Sequence, residues 1–471
     1  MMKLSTFKVL PMVGVLLLTG CVNLAPQYDR PEAPIPQTWP QGLAYQHQPE
    51  VKQSLLAWSD FYQDARLRDV IALALANNRD ARIASLNVKK LEALYGVSRS
   101  ALAPQANLGF NEQATRTPKG MNPLGEPVIS HTYTTQLPSL SYEVDFFGRV
   151  RNMNEQALQT YLASKEGAVT FQNALIAQVV QLWLKVGADR DLLKTQQSLL
   201  DAQKKNVSMV EDSLKAGATT ELALEQARST LMSLQADVHA SVRQEALDVS
   251  ALNLLCAQTV DEALLPKTLL NDAVGEATLL AGTPSDVLLN RPDIKAAENT
   301  LKGANANIGV ARAAFFPRVN LVASVGTMSS SLSDLFDPQT GMWSFTPSIS
   351  LPIFTGGRNT AQLKAAKIDK EIAVAQYEKA IQSAFKETSD ALAQLGTADN
   401  EYKAREALAN TSKRAYELAK LRYDKGASSY LDVLTNQNAY IRSIQGAISA
   451  KLGMIMARVN LYKALGGGLK P

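Results

Sequence analysis

Two cysteines, Cys21 and Cys256, and three histidines, His47, His131 and His239, are the whole stock of thiols and imidazoles in 471 residues. Nucleophilic or metal chemistry needs such groups at ligand spacing or beside partner acids and bases. Here they are scattered over an arm, a loop, a helix and an apolar run. The chain has no phosphate-binding GxxxxGK[ST], no glycine-rich dinucleotide turn after a strand, no GxSxG and no HExxH. An enzyme is therefore not expected, nor a metal or other dissociable cofactor. Cys256 sits in "ALNLLCA", the setting of a buried and unreactive thiol. A net charge of +4 gives no reason to expect nucleic acid.

Cys21 is different. Lys3 gives a positive start, and Val9 to Leu18 form an apolar run, broken by Pro11, that is too short for a membrane span. The run ends in "LLTGC", Leu17 to Cys21, which resembles the lipobox of bacterial lipoproteins. That resemblance implies a signal peptide over 1–20, cleavage before Cys21, and S-diacylglycerol and N-acyl (palmitate) chains on Cys21. Val22 in place of an aspartate implies sorting to the outer membrane. A lipid anchor tethers a chain without spanning the bilayer.

The elements that must carry any function form a repeat. "PSLSYEVDFFGR" starts at 138 and "PSISLPIFTGGR" at 347, 209 residues apart, and Gly217 and Gly426 keep the same offset. After a proline-rich, extended arm over 21–60, the first repeat covers 61–275. It reads as a helix over 64–102, strands within 104–147, a long helix over 149–216 and a return helix over 219–257. The second covers 283–471, with a helix over 285–316, strands within 317–356, a long helix over 358–425 and a return helix over 428–465. Leu67, Val70, Leu73 and Ala74 keep helical spacing, as do Ile176, Val179, Trp183 and Val186. After Pro104 and Pro317 the period switches to two. Val319, Leu321, Ala323 and Val325 alternate with Asn320, Ser324 and Gly326; Phe345, Ile349, Leu351 and Ile353 alternate with Thr346, Ser348 and Ser350. Each long helix predicts about 100 Å at 1.5 Å per residue, and the two shorter helices placed end to end return about the same distance.

These helices are too narrow in apolar face to cover two hairpins. Strands of about 10 residues with one apolar and one polar face fit a transmembrane barrel. Two hairpins supply four strands per chain, too few to close. Unpaired backbone N–H and C=O groups cost several kcal/mol each in lipid, so copies must share one wall, with about 8, 12 or 16 strands. The chain reads as an α+β membrane protein.

"YEVDFFGRVR" (Tyr142 to Arg151), "NRPDIKAAE" (Asn290 to Glu298), "ANIGVARAAFFP" (Ala306 to Pro317), "LPIFTGGR" (Leu351 to Arg358) and "VNLYKALGGG" (Val459 to Gly468) together resemble the TolC-like outer membrane factors. The likeness is greatest to the lipoprotein-type channels of resistance-nodulation-division (RND) multidrug efflux pumps. The resemblance implies a homotrimer with a 12-stranded β-barrel in outer-membrane lipid, continuing into a long periplasmic α-helical barrel. A periplasmic adaptor (membrane fusion protein) and an inner-membrane RND pump would be its partners, and drug export its function.

The resemblance also implies a gate at the end marked by the paired glycines. Leu431 and Asp432 take the fifth and sixth positions after Gly426. Thr435 stands at the ninth, where relatives often carry a second acid. Tyr423, beside Arg422, matches the family's locking tyrosine. Copies of Asp432 would form a carboxylate ring able to hold a divalent cation; read alone, Asp432 is an exposed acid at a helix start. The adaptor would meet Ala216, Gly217, Ala218 and Thr219 in one turn and Lys425, Gly426 and Ala427 in the other. A structural coiled-coil lipoprotein would explain the helices and leave the hairpins unexplained. A channel for type I protein secretion stays open within the same fold.

Overall fold

The computed structural model describes residues 22–45, 50–52, 56–123, 125–276, 278–280 and 284–467. The expected signal peptide and Cys21 lipid site lie outside them. In chain order the elements are β1 (Glu50–Lys52), α1 (Trp58–Phe61), α2 (Ala65–Asn77), α3 (Arg79–Ser100), β2 (Gln105–Thr117) and β3 (Val128–Val144). Then come α4 (Arg149–Lys215), α5 (Glu221–Cys256), β4 (Thr278–Leu280), α6 (Pro284–Leu288) and α7 (Pro292–Ala313). The last are β5 (Arg318–Ser329), β6 (Gly341–Ser350), α8 (Arg358–Asp424) and α9 (Tyr430–Ala464). Helices α4 and α8 each have 67 residues. No described helix is long and apolar enough to cross a membrane.

Compact packing does not follow the repeat. One unit gathers residues up to Pro31 with 88–164 and 296–377; the other gathers 32–87, 165–295 and 378–471. Each therefore draws on both repeats.

The first unit holds the sheet, ordered β2-β3-β5-β6 and antiparallel throughout. Register fixes its two faces. Tyr142 pairs with Leu321, Val144 with Val319, Ala323 with Phe345 and Val325 with Trp343. On the other side Ser141 pairs with Val322, Ser139 with Ser324 and Asn320 with Ser348. The Ser324 and Ser344 hydroxyls lie 2.8 Å apart. Between Asn107 and Gly109 of β2, β3 carries one extra residue, Leu137 and Pro138 standing against Leu108, and this brings Tyr133 and Ile129 onto the same face as Leu140 and Tyr142. That face is open: Leu108, Phe110, Trp343, Phe345 and Ile349 are all exposed. β6 ends at Ser350, so Leu351 and Ile353, expected to continue the strand, lie beyond it.

In the same unit the arm is clamped. Arg30 donates to both oxygens of Glu298 at 2.9 and 3.0 Å, Lys302 reaches it at 3.0 Å, and the Tyr28 hydroxyl at 3.2 Å. Burial alone would raise the Glu298 carboxyl; Lys302 and Arg30 outweigh it and hold it below its ordinary value. At the arm's start the Val22 amide donates to the Phe146 carbonyl at 2.9 Å.

The second unit carries the main core, with Trp183, Leu67, Ile71, Val179 and Leu252 fully buried. Ile71, not Leu73, completes the inner face of α2 with Leu67, Val70 and Ala74. Burial on this scale is worth about 1.5–3 kcal/mol per large side chain. The single helix expected over 64–102 is broken at Asn78. Its side chain caps α3 by accepting from the Ala81 amide at 2.9 Å and donates to the Leu255 carbonyl at 2.9 Å. The helix expected over 285–316 breaks likewise, between Leu288 and Pro292. Arg291 is buried there; its guanidinium donates to the Ala464 carbonyl at 2.5 Å and reaches Asp293 and Glu387. A proline suits the first helical position after such a break. The short parallel pair β1–β4 was not expected from the sequence. The arm continues along α8: Trp39 stacks on Phe385 at 5.6 Å, and a Cβ at Gly396 would overlap the Ala44 carbonyl.

Asp189 Oδ2 is buried beside the Asp248 carboxylate, which Lys185 holds at 2.9 Å. Burial, then the neighbouring Asp248 carboxylate, push Asp189 up to about 7 from its ordinary 3.8. The unfolded chain releases this proton near the lower value and the folded chain near the higher one. Stability therefore falls as pH rises through that window. Replacing Asp189 by Asn should flatten thermal-melting midpoints between about pH 4 and 7; an unchanged slope would show that Asp189 ionises normally.

Candidate functional site

Two nearly identical turns close the helical hairpins of the second unit. The amide of Ala218 donates to the Ser213 carbonyl and that of Ala427 to the Arg422 carbonyl, both at 2.8 Å. Gly217 and Gly426 donate one turn inward, to Leu214 and Tyr423. Their φ angles are 70° and 71°. That left-handed conformation costs an L-residue about 1 kcal/mol or more, so glycine terminates each long helix as a Schellman cap. Hydroxyls then open the return helices: Thr220 accepts from Ala223 and Ser429 from Asp432. Ala216, Thr219 and Lys425 fill out the same turns.

Asp432 is the third residue of a reciprocal capping box. Its Oδ2 accepts from the Ser429 amide at 3.2 Å and hydroxyl at 3.1 Å. Leu431, one position earlier, is 60% exposed. The Thr435 hydroxyl donates to the Leu431 carbonyl at 2.9 Å. So Leu431, Asp432 and Thr435 share the exposed side of the first turns of α9. Arg422 bends back to its own turn, donating to the Ala427 carbonyl at 3.3 Å. Tyr423 packs its ring against Tyr430, centroids 5.4 Å apart. A groove of about 660 Å³ separates the turns, with Met209, Ser213, Thr219, Tyr423 and Ser428 in its lining.

What joins the hairpins is a network the sequence analysis did not single out. The Tyr430 hydroxyl accepts from Asn206 Nδ2 at 2.7 Å and Gln203 Nε2 at 3.2 Å. Gln203 also donates to the Ala227 carbonyl at 2.9 Å and accepts from Gln437 at 3.2 Å. All four side chains are buried, ringed by Val207, Val210, Leu224, Val433 and Leu434. Burial raises the Tyr430 phenol, while the two amide donors pull it back. Polar groups at core spacing on α4 and α9 were the available signal; only the packing of α4 against α9 gives them partners. Tyr430→Phe should leave Asn206 Nδ2 buried and unpaired, costing about 1–3 kcal/mol. Hydrogen exchange at 203–230 and 423–440 should speed up, and protection equal to the wild type would make the network dispensable.

Comparison with known proteins gives these features a setting. The family model "Outer membrane efflux protein" matches residues 70–256 and 283–467. The toluene efflux pump outer membrane protein TtgF of Pseudomonas putida is 42% identical over 458 residues, spanning 96% of this chain and 95% of TtgF. A membrane protein from Pseudomonas aeruginosa superposes with a TM-score of 0.88 at 36% identity, covering 94% of this chain and all of that one. The open state of the Neisseria gonorrhoeae MtrE outer membrane channel gives 0.83 at 35%, covering 95% and 99%. The chain belongs to the outer membrane efflux protein family and is an efflux channel of a Gram-negative outer membrane.

Proposed function

We propose that three copies of the chain form the exit duct of an RND-type efflux system, taking small toxic compounds from an inner-membrane pump and a periplasmic adaptor to the exterior. The observation that carries this is the four-stranded sheet. Its apolar face is exposed, its other face is polar, and its edge strands β2 and β6 have no partner among the described residues. In lipid such edges must pair. Joining β2 of one copy to β6 of the next removes both, and three copies give twelve strands. The turns around Gly217 and Gly426 are the adaptor's contact, with Ala216, Ala218, Thr219, Lys425 and Ala427. Leu431, Asp432 and Thr435 form the gate ring, and Tyr423 with Arg422 supports it. An acid held in a capping box has a fixed position, which suits a ring of carboxylates that attracts cations. Relatives named for toluene and solvent efflux suggest apolar small molecules as cargo.

Lipidation of Cys21 fits the same arrangement. Val22 is hydrogen-bonded to Phe146, two residues beyond the end of β3. One peptide step is about 3.8 Å, so an acyl chain on Cys21 would enter the bilayer beside the barrel wall.

In a strain lacking its own outer-membrane channel but holding the cognate adaptor and pump, the chain should restore dye efflux and toluene tolerance. Correct insertion without restored export would refute the duct reading. Cys21→Ser should abolish palmitate labelling, and a variant that still takes up label would remove the lipid assignment.

A further inference from the structure

The register of the sheet sorts every strand residue onto one face or the other, and the polar face is almost free of charge. It presents Asn107, Asn111, Gln113 and Thr115 of β2, and Thr132, Thr134, Ser139 and Ser141 of β3. From β5 and β6 it presents Asn320, Ser324, Ser344, Thr346, Ser348 and Ser350. Among the strand residues on this face, Glu143 and Arg318 are the acidic and basic ones. The remaining acidic and basic residues of the four-stranded sheet, Glu112 and Arg116, lie on the opposite face, where Glu112 pairs with His131 at 3.1 Å.

The two polar-face charges are not equivalent. Glu143 is neutralised by Arg149, which donates through Nε at 2.7 Å and Nη2 at 2.5 Å in a bidentate pair. Both side chains are about four-fifths buried. Arg318 opens β5, opposite Ser350, and is exposed; no carboxylate lies within ion-pair distance of it among the described residues. It stands diagonal to Glu143, which faces Asn320. One uncompensated positive charge per chain is therefore left on the polar face, at the end where the strands meet the helices.

The structure assigns Arg318 as a charge-selectivity residue of the channel: copies related by closure of the sheet form a ring of guanidinium groups in the lumen that favours anionic and zwitterionic solutes over cations. This rests on the reading that the polar face lines the duct. A ring of fixed charge biases permeation when the lumen radius is comparable with the screening length. Near 0.1 M salt that length is about 10 Å, of the order of the interior of a barrel this size. The hydroxyls and amides along the rest of the face solvate ions of either sign, so the sign of the bias comes from Arg318. Its effect opposes that of a carboxylate ring at the turn of α9.

The test is the reversal potential of the purified full-length channel in planar bilayers of zwitterionic lipid, under a KCl gradient at about 0.1 M and again at about 1 M, where screening shortens to about 3 Å. Arg318→Gln should raise the potassium-to-chloride permeability ratio about twofold at the lower salt, and Arg318→Glu further, with both effects shrinking at the higher salt. Arg318→Lys, which keeps the charge, should match the wild type and control for folding. Glu143→Gln, which frees the charge of Arg149, should move the ratio the other way. Conducting Gln and Glu variants with the wild-type ratio would overturn the assignment of Arg318 alone. A wild-type protein that inserts correctly and restores no export beside the cognate adaptor and pump would overturn the duct reading beneath it.

Discussion

Backbone hydrogen bonding at the ends of a four-stranded sheet governs this protein. β2 and β6 each present a row of amide and carbonyl groups with no partner among the described residues. In water such a row is a liability; in lipid it is prohibitive, because nothing there replaces the missing partners. One face of the sheet is meanwhile apolar and open, which rules out water as its neighbour on any large scale. Both facts have one solution, in which β2 of one copy is joined to β6 of the next and the apolar face is turned to the bilayer. The polar face then has to enclose water. A duct follows from satisfying hydrogen bonds, before any residue is given a functional role.

The helical part obeys a different constraint. Long helices stay rigid over their length but say nothing about where they should stop, and each stop here is local chemistry. A glycine with positive φ ends α4 and α8, and a hydroxyl caps the helix that follows. Such turns are compact and present few side chains, which suits contact with another protein's narrow end. Behind them the network of Gln203, Asn206, Tyr430 and Gln437 replaces apolar contact with directional bonds. A buried polar network has few alternative arrangements of similar energy. It therefore fixes one hairpin against the other.

Charge is used sparingly and by position. Within the sheet, an ion pair at Glu143 and Arg149 leaves Arg318 as the uncompensated group on the polar face. At the arm, three groups converge on the carboxylate of Glu298 and fix residues 28–30. In the helical unit, Arg291 joins a helix break to the end of α9. Each of these charges has hydrogen-bonding partners that offset its desolvation, apart from Arg318, which stays in water.

Much of this was legible before any coordinates. Period-two alternation after Pro104 and Pro317, and the glycines at 148, 217, 357 and 426, placed the strands and the long helices to within a few residues, because local propensity and patterning act over short stretches of chain. The lipobox at Cys21 is also a linear signal, and it lies outside the described residues. Sequence misjudged the elements whose ends depend on distant partners: the breaks at Asn78 and Arg291 are held by Leu255 and Ala464, and the β1–β4 pair joins segments more than 200 residues apart. The tie at Tyr430 and the isolation of Arg318 are also tertiary, whereas the capping box of Ser429 and Asp432 is local, three residues apart. Whether a polar side chain is paired, buried or free depends on which other segment faces it, and that is settled only when the helices pack and the strands choose a register.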